Sequence, residues 1–398
     1  MNRGTTSRWS RRFVIASAFF FVAWRVGELV GIAHQAAMTL ALFGFVFHII
    51  FGKAYLLIPS YFERVFAVPR AMPVHFALSS LGTVLLTLGS AASVPPLVSL
   101  FGAVAWSLGV VIFLGGLGWS VRGNPFGRET GTGSIRLGYE RADRFANLFP
   151  PVSFAYLALG SYELLARTTT LPALTDGYLP RLSHLLGAGA AGVLVFALGS
   201  RLLPRFFDVR PPTPFIFVVL PTGALAPILL ATNLWGGFWF RVGAVAEATA
   251  MVGFATLTVI CFVRSDRRRV GLYGVLAGSL AGAIAVALGL SFAFDGASAA
   301  LLAAHRELNL LGFLGLTIVG LVFQFYPPSA GRFLGASEQS AGVVVAALAG
   351  GLAIEVVGLG VGGAPVVVAG NVVSLLGTLG YAFLLTRLLV EIGSRRSG

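Results

Sequence analysis

Five histidines are the residues of this chain best suited to hold haem iron or a transition metal, because neutral imidazole is the commonest protein ligand for both. Three of them, His34, His184 and His305, open similar stretches. His305 stands in AAHRELNLLGFLGLTIVGLVFQFYPP, where Gly312, Gly315 and Gly320 punctuate an apolar run that ends at Pro327. His184 begins HLLGAGAAGVLVFALGSRLLPRFF and His34 begins HQAAMTLALFGFVFHIIFGKAYLLIP, running to Pro204 and Pro59. His184 and His305 each precede an inner glycine (Gly199, Gly320) by 15 residues, whereas His34 precedes Gly52 by 18. The period, about 120–150 residues, is too long for a solenoid and long enough for several helices.

The remaining candidates are weaker. His48 lies on the same run as His34, about 21 Å further along a helix, so the two cannot share one metal centre. His75 opens the next run, where an interfacial histidine is expected. Charges inside apolar runs are functional candidates by default. Arg25 and Glu28 read as a structural ion pair or a holder for a ligand carboxylate; Lys53, Arg241, Glu247 and Glu355 stand singly. GRETGTGS, residues 127–134, lacks the lysine of a phosphate loop and has no strand before it. A lone Cys261 has no internal disulfide partner and reads as a packing residue.

The elements that must position these groups follow from composition. With 57% hydrophobic residues, 11% charged and a mean hydropathy of +0.87, the chain is expected to be an all-α polytopic membrane protein. About twelve runs approach the roughly 20 apolar residues that a spanning helix needs. They are 13–33, 35–58, 73–93, 97–119, 150–169, 184–206, 214–234, 238–263, 271–294, 305–327, 340–361 and 365–390, the fifth being short and interrupted by Glu163. Barrel strands are far shorter than these runs. Residues 1–398 read as one integral membrane domain with pseudo-repeats at 34–59, 184–204 and 305–327. Pro221 and Pro227 mark kinks in the seventh run. The abundant glycines, 51 in all, suit close helix packing.

Most of the 28 basic residues fall in alternate loops, including Arg264, Arg267, Arg268 and Arg269 in one. The positive-inside bias then places both termini in the cytoplasm and His34, His184 and His305 in the outer half of the bilayer. Net charge +13 is thereby explained as topology, with no call for nucleic acid; attraction to anionic lipid headgroups is an extra use. No small-residue cleavage site closes the first run, so an uncleaved first helix is expected.

At these residues the sequence resembles subunit I of the haem-copper oxygen and nitric oxide reductases, closest to the C-type branch and the NnrS-type membrane proteins. That family has twelve helices in three arcs of four. Its tenth helix reads HxHxxxLGWxG, against His305-Arg-Glu307-Leu-Asn-Leu-Leu311-Gly312-Phe313-Leu-Gly315 here. The resemblance implies that His305 is the axial ligand of a haem, that Glu307 replaces a second haem ligand, and that His184, 20 residues before Pro204, corresponds to a copper ligand. It implies a low-spin haem ligand at His34, ten residues before Gly44. The adjacent copper-binding histidines of the family's seventh helix have no counterpart in 214–234.

The expected function is therefore a membrane haem b protein, with copper at His184 as an additional cofactor. It would serve electron transfer or nitric oxide and oxygen handling, without a complete oxygen-reducing centre, and take electrons from a donor protein or quinol. The haem is expected between the second and tenth helices, on His305 and His34, with Met38 as substitute for His34. If neither reaches, the iron stays five-coordinate. Two other classes share the pattern: a secondary transporter, for which Arg241, Glu247 and Lys53 are the candidate charges, and a structural or assembly subunit without cofactor.

Overall fold

The computed structural model describes residues 2–91, 93–125, 127, 129 and 137–395; most of the GRETGTGS motif lies outside the described residues. The described chain is helical, with no strand. Its long helices are α1 (Asn2–Val30), α2 (His34–Tyr61), α3 (Pro69–Ala91), α4 (Pro96–Val121), α5 (Pro150–Ala166), α6 (Leu179–Phe207), α7 (Thr213–Asn233), α8 (Gly237–Arg264), α9 (Val270–Phe294), α10 (Ala299–Ala330), α11 (Glu338–Gly360) and α12 (Ala364–Ser394). Among the described residues, eleven are long and apolar enough to cross a membrane, and the chain is an integral multi-pass membrane protein.

The expected fifth span differs. Helix α5 has 17 residues, about 25 Å of rise, against a hydrocarbon core of roughly 30 Å. Glu163 explains its end. The buried carboxylate accepts hydrogen bonds from Leu174 N at 2.8 Å, Thr175 N at 3.1 Å and the Thr175 hydroxyl, folding the following loop back over the helix.

Local chemistry sets many boundaries. Proline occupies the first turn of α4, α5, α6, α7 and α12, where its missing N–H costs nothing. Ser298 and Ser337 cap α10 and α11 by accepting from Leu301 N and Ser340 N. Tyr326, forced out of helical geometry by Pro327, interrupts α10 after Phe325. Helix α7 is continuous through Pro221 and Pro227. Beside Pro227, Tyr156 of α5 inserts its hydroxyl into the ladder, donating to Ala224 O (2.6 Å) and accepting from Ile228 N (3.3 Å).

Consecutive helices pack side by side, and α12 closes on α1, making a ring in chain order. Helices α2, α6 and α10 lie on its inside. Of their most apolar stretches 83%, 67% and 78% is buried, against 44% at most for any other span. Phe101, Val111, Val343 and Phe383 on the outer helices are exposed, as lipid-facing side chains must be.

The three inner helices share a second feature. Each widens from α to π winding: over Thr39–Val46 in α2, His184–Gly192 in α6 and Leu308–Leu316 in α10. The wide segment of α2 touches those of the other two. Runs of 8 or 9 residues are long for a π-helix, which usually occupies a single turn and clusters at functional sites. Glycine makes this winding tolerable: a Cβ at Gly315 would stand 3.0 Å from the carbonyl oxygen of Leu310, five residues back.

Candidate functional site

His305 sits near the start of α10 against α9. Its Nδ1 bonds the Ala285 carbonyl at 2.8 Å, so the proton is on Nδ1 and Nε2 keeps its lone pair. The Asn309 amide, one turn on, donates to that Nε2 at 3.2 Å. Phe292 packs edge-on to the ring, and Gly289 leaves it room, since a Cβ there would come within 3.2 Å of Cε1. His184 repeats the arrangement: Nδ1 donates to the Pro180 carbonyl at 2.7 Å, which leaves Nε2 as acceptor.

His34 is placed otherwise. It is exposed, and its Nδ1 accepts from Arg306 Nη1 at 2.6 Å. The first turns of α2 and α10 therefore meet through Arg306, not through two facing imidazoles. Met38 lines a cleft with Gln35, Thr39, Leu86, Arg167 and Ser183 to which α10 contributes nothing. Among the described residues, no three His, Cys, Asp or Glu side chains converge as a metal cage would require.

Tested as haem ligands, these residues divide. A backbone carbonyl on Nδ1 is the usual outer partner of a metal-binding imidazole, so His305 and His184 have the right tautomer. In His305 the Nε2 lone pair is taken by the Asn309 amide. His34 is committed to Arg306, and Met38 opens elsewhere.

Beside the histidines lies a cluster built from four helices and absent from any local sequence pattern. Arg25, fully enclosed, donates to Glu307 Oε2 (3.1 Å), Glu355 Oε2 (2.8 Å), Ser374 Oγ (2.9 Å) and Asn371 Oδ1. Glu307, also fully enclosed, holds Arg306 Nε on its other oxygen at 3.0 Å. Arg306 extends toward Glu28 (3.8 Å), which accepts from Trp24 Nε1 at 3.3 Å. Arg25 thus pairs with Glu307 and Glu355, and not with Glu28 as the sequence suggests. Asn309, Asn371 and Ser374 were not singled out by sequence. Their only signal is polarity at one-turn spacing within apolar runs.

The other candidates resolve into packing. His75 is fully buried, not interfacial, and its Nδ1 bonds the Tyr55 hydroxyl at 2.7 Å. His48 bridges the Phe43 carbonyl (2.9 Å) and Ser80 Oγ (3.1 Å). Cys261 belongs to the core. Lys53 lies 3.9 Å and 4.2 Å from the ring centres of Phe325 and Tyr326. Glu247 keeps one buried oxygen without a hydrogen-bond partner, and Arg241 donates to Ala293 O at 3.3 Å.

No protein-family model matches the chain, and no curated protein matches it.

Proposed function

We propose that the chain is an integral membrane haem protein of the haem-copper oxidase subunit I type, with both termini cytoplasmic. In this reading His305 is the sole protein ligand of a b-type haem, and the protein handles nitric oxide or oxygen. One observation supports the reading: of the three histidines that open the inner helices, His305 is half-buried and its Nδ1 is held by the Ala285 carbonyl as a ligand tautomer, while His34 is held away by Arg306. A haem held by His305 would supply one-electron and diatomic-gas chemistry. The chain's own residues orient the imidazole: Ala285 through its carbonyl, Gly289 by leaving room and Phe292 by packing edge-on. His184 offers copper one imidazole, too few to build an oxygen-reducing centre.

The test is haem content after purification from haem-supplemented cells. His305→Ala should lose the haem, whereas His34→Ala and Met38→Ala should keep it with an unchanged spectrum. Full haem occupancy in His305→Ala would sink the proposal.

A further inference from the structure

Four arginines, Arg264, Arg267, Arg268 and Arg269, crowd the end of α8 and the short connection to α9. Arg267 is spent on Asp208, at 3.2 Å. Arg268 and Arg269 instead line a cleft of about 340 Å³, together with Val270, Pro327, Ser329 and Glu338. The cleft thus lies between the start of α9, the start of α11 and the interrupted end of α10. Glu338 holds its walls together: Oε2 accepts from Val270 N and Oε1 from Ser329 Oγ, both at 3.3 Å. Arg268 is held in place as well. Its Nη1 donates to the carbonyls of Phe262 (3.3 Å), Arg267 (3.0 Å) and Ser265, and the guanidinium rests 4.7 Å from the centre of the Phe262 ring. Among the described residues, no hydrogen bond or ion pair engages Nε or Nη2 of Arg268, or any part of the exposed Arg269 side chain. A guanidinium already immobilised beside a cleft is preorganised for the forked contact that phosphate oxygens make, and Arg269 adds a second.

The height of the cleft selects the source of that phosphate. Helix α9 has 25 residues, about 37 Å of rise against a hydrocarbon core of roughly 30 Å, so its first residue, Val270, stands at headgroup level. Next to the cleft α9 and α11 come together, since a Cβ at Gly342 would lie 3.9 Å from Val270 Cγ2. Further into the membrane both helices expose apolar side chains: Tyr273, Leu280 and Ile284 on α9, Val343 and Ile354 on α11. Acyl chains lying along these faces continue a headgroup seated in the cleft. A zwitterionic headgroup would bring its own ammonium against the same two guanidiniums, whereas a net negative one would not. We infer that the cleft of Arg268 and Arg269 binds the phosphate of an anionic phospholipid, whose acyl chains run along α9 and α11.

The experiment is native mass spectrometry of the full chain in detergent, titrated with dioleoyl phosphatidylglycerol or with dioleoyl phosphatidylcholine. The chain should retain one phosphatidylglycerol in preference to phosphatidylcholine. Arg269→Gln breaks no described contact, so it should weaken that retention about fivefold while leaving the thermal midpoint unchanged. Arg268→Gln/Arg269→Gln should weaken it further. Arg70→Gln/Arg122→Gln removes the same charge at the same end of the bundle and should leave retention as it was. An excess of inorganic phosphate should not displace the lipid. Equal retention of the two lipids, an equal loss in Arg70→Gln/Arg122→Gln, or full retention in Arg269→Gln would each overturn the inference. Displacement by inorganic phosphate would overturn it too, by showing a site for the free anion.

Discussion

Two clusters in this molecule bury an arginine, and they are unbalanced in opposite senses. At the end where His34 and His305 lie, Arg25 serves an excess of carboxylates and all three central members are enclosed. At the other end of α6, Asp143 serves two arginines, Arg201 at 3.5 Å and Arg205 at 2.5 Å. There two arginines face one carboxylate. Arg205 is 37% exposed, Arg201 lies over the Tyr61 ring at 3.8 Å and Arg205 over the Tyr139 ring at 4.6 Å, and Asn147 accepts from Arg201. Surplus base can reach water on long side chains and rest on aromatic faces.

Removing the central arginine should separate the two clusters most sharply. Arg25→Met leaves the enclosed Glu355 without its partner and Glu307 with Arg306 alone, and should cost about 3–5 kcal/mol. Arg201→Met leaves Asp143 bound to Arg205 and should cost about 1–2 kcal/mol. Unfolding in detergent, followed by helical signal against denaturant, measures both; equal losses would break the comparison.

A smaller effect tests the packing behind Glu355. A Cβ at Gly370 would meet the Glu355 backbone nitrogen at 2.5 Å and the Gly351 carbonyl oxygen at 2.7 Å. Gly370→Ala should therefore push α12 from α11 and cost about 1–3 kcal/mol. Gly350, with open space around it, should accept alanine without loss. Similar thermal midpoints for the two variants would mean that the close approach at Glu355 is not needed.

The smallest effect belongs to an ion pair outside the membrane helices. Arg64 donates twice to Glu129, at 2.7 and 3.1 Å, and that hydrogen-bonded guanidinium holds the carboxyl below its ordinary value of 4.5. A depressed value means stabilisation present above about 4.5 and lost as pH falls through the folded-state value. Glu129 is 54% exposed, so the contribution is slight. Glu129→Gln should lower the thermal midpoint slightly at neutral pH and not at all in strong acid. A deficit that grew on acidification would reverse the sign.

Much of the architecture was legible because hydropathy and glycine spacing are local. Runs around His34, His184 and His305 foretold the three helices that the structure places innermost. What escaped is non-local. Arg25 meets Glu307 and Glu355 across 282 and 330 residues, and no spacing rule links them. Glu28, three residues away and the obvious partner, turns instead to Trp24 and Arg306. His75 looked interfacial because it opens a helix, yet the aromatic rings of Phe13, Phe51 and Phe113 enclose it. Helix α5 stops early because Glu163 binds the following loop, a contact invisible in an apolar count. The π winding has no hydropathy signature at all.

The central claim, a haem on His305 with an open position, is tested most directly by the visible spectrum of the purified, reduced protein before and after adding nitric oxide. The account predicts a high-spin b-type spectrum that shifts on addition of the gas and is lost in His305→Ala. A six-coordinate low-spin spectrum unmoved by nitric oxide, or no haem spectrum at all, would contradict it.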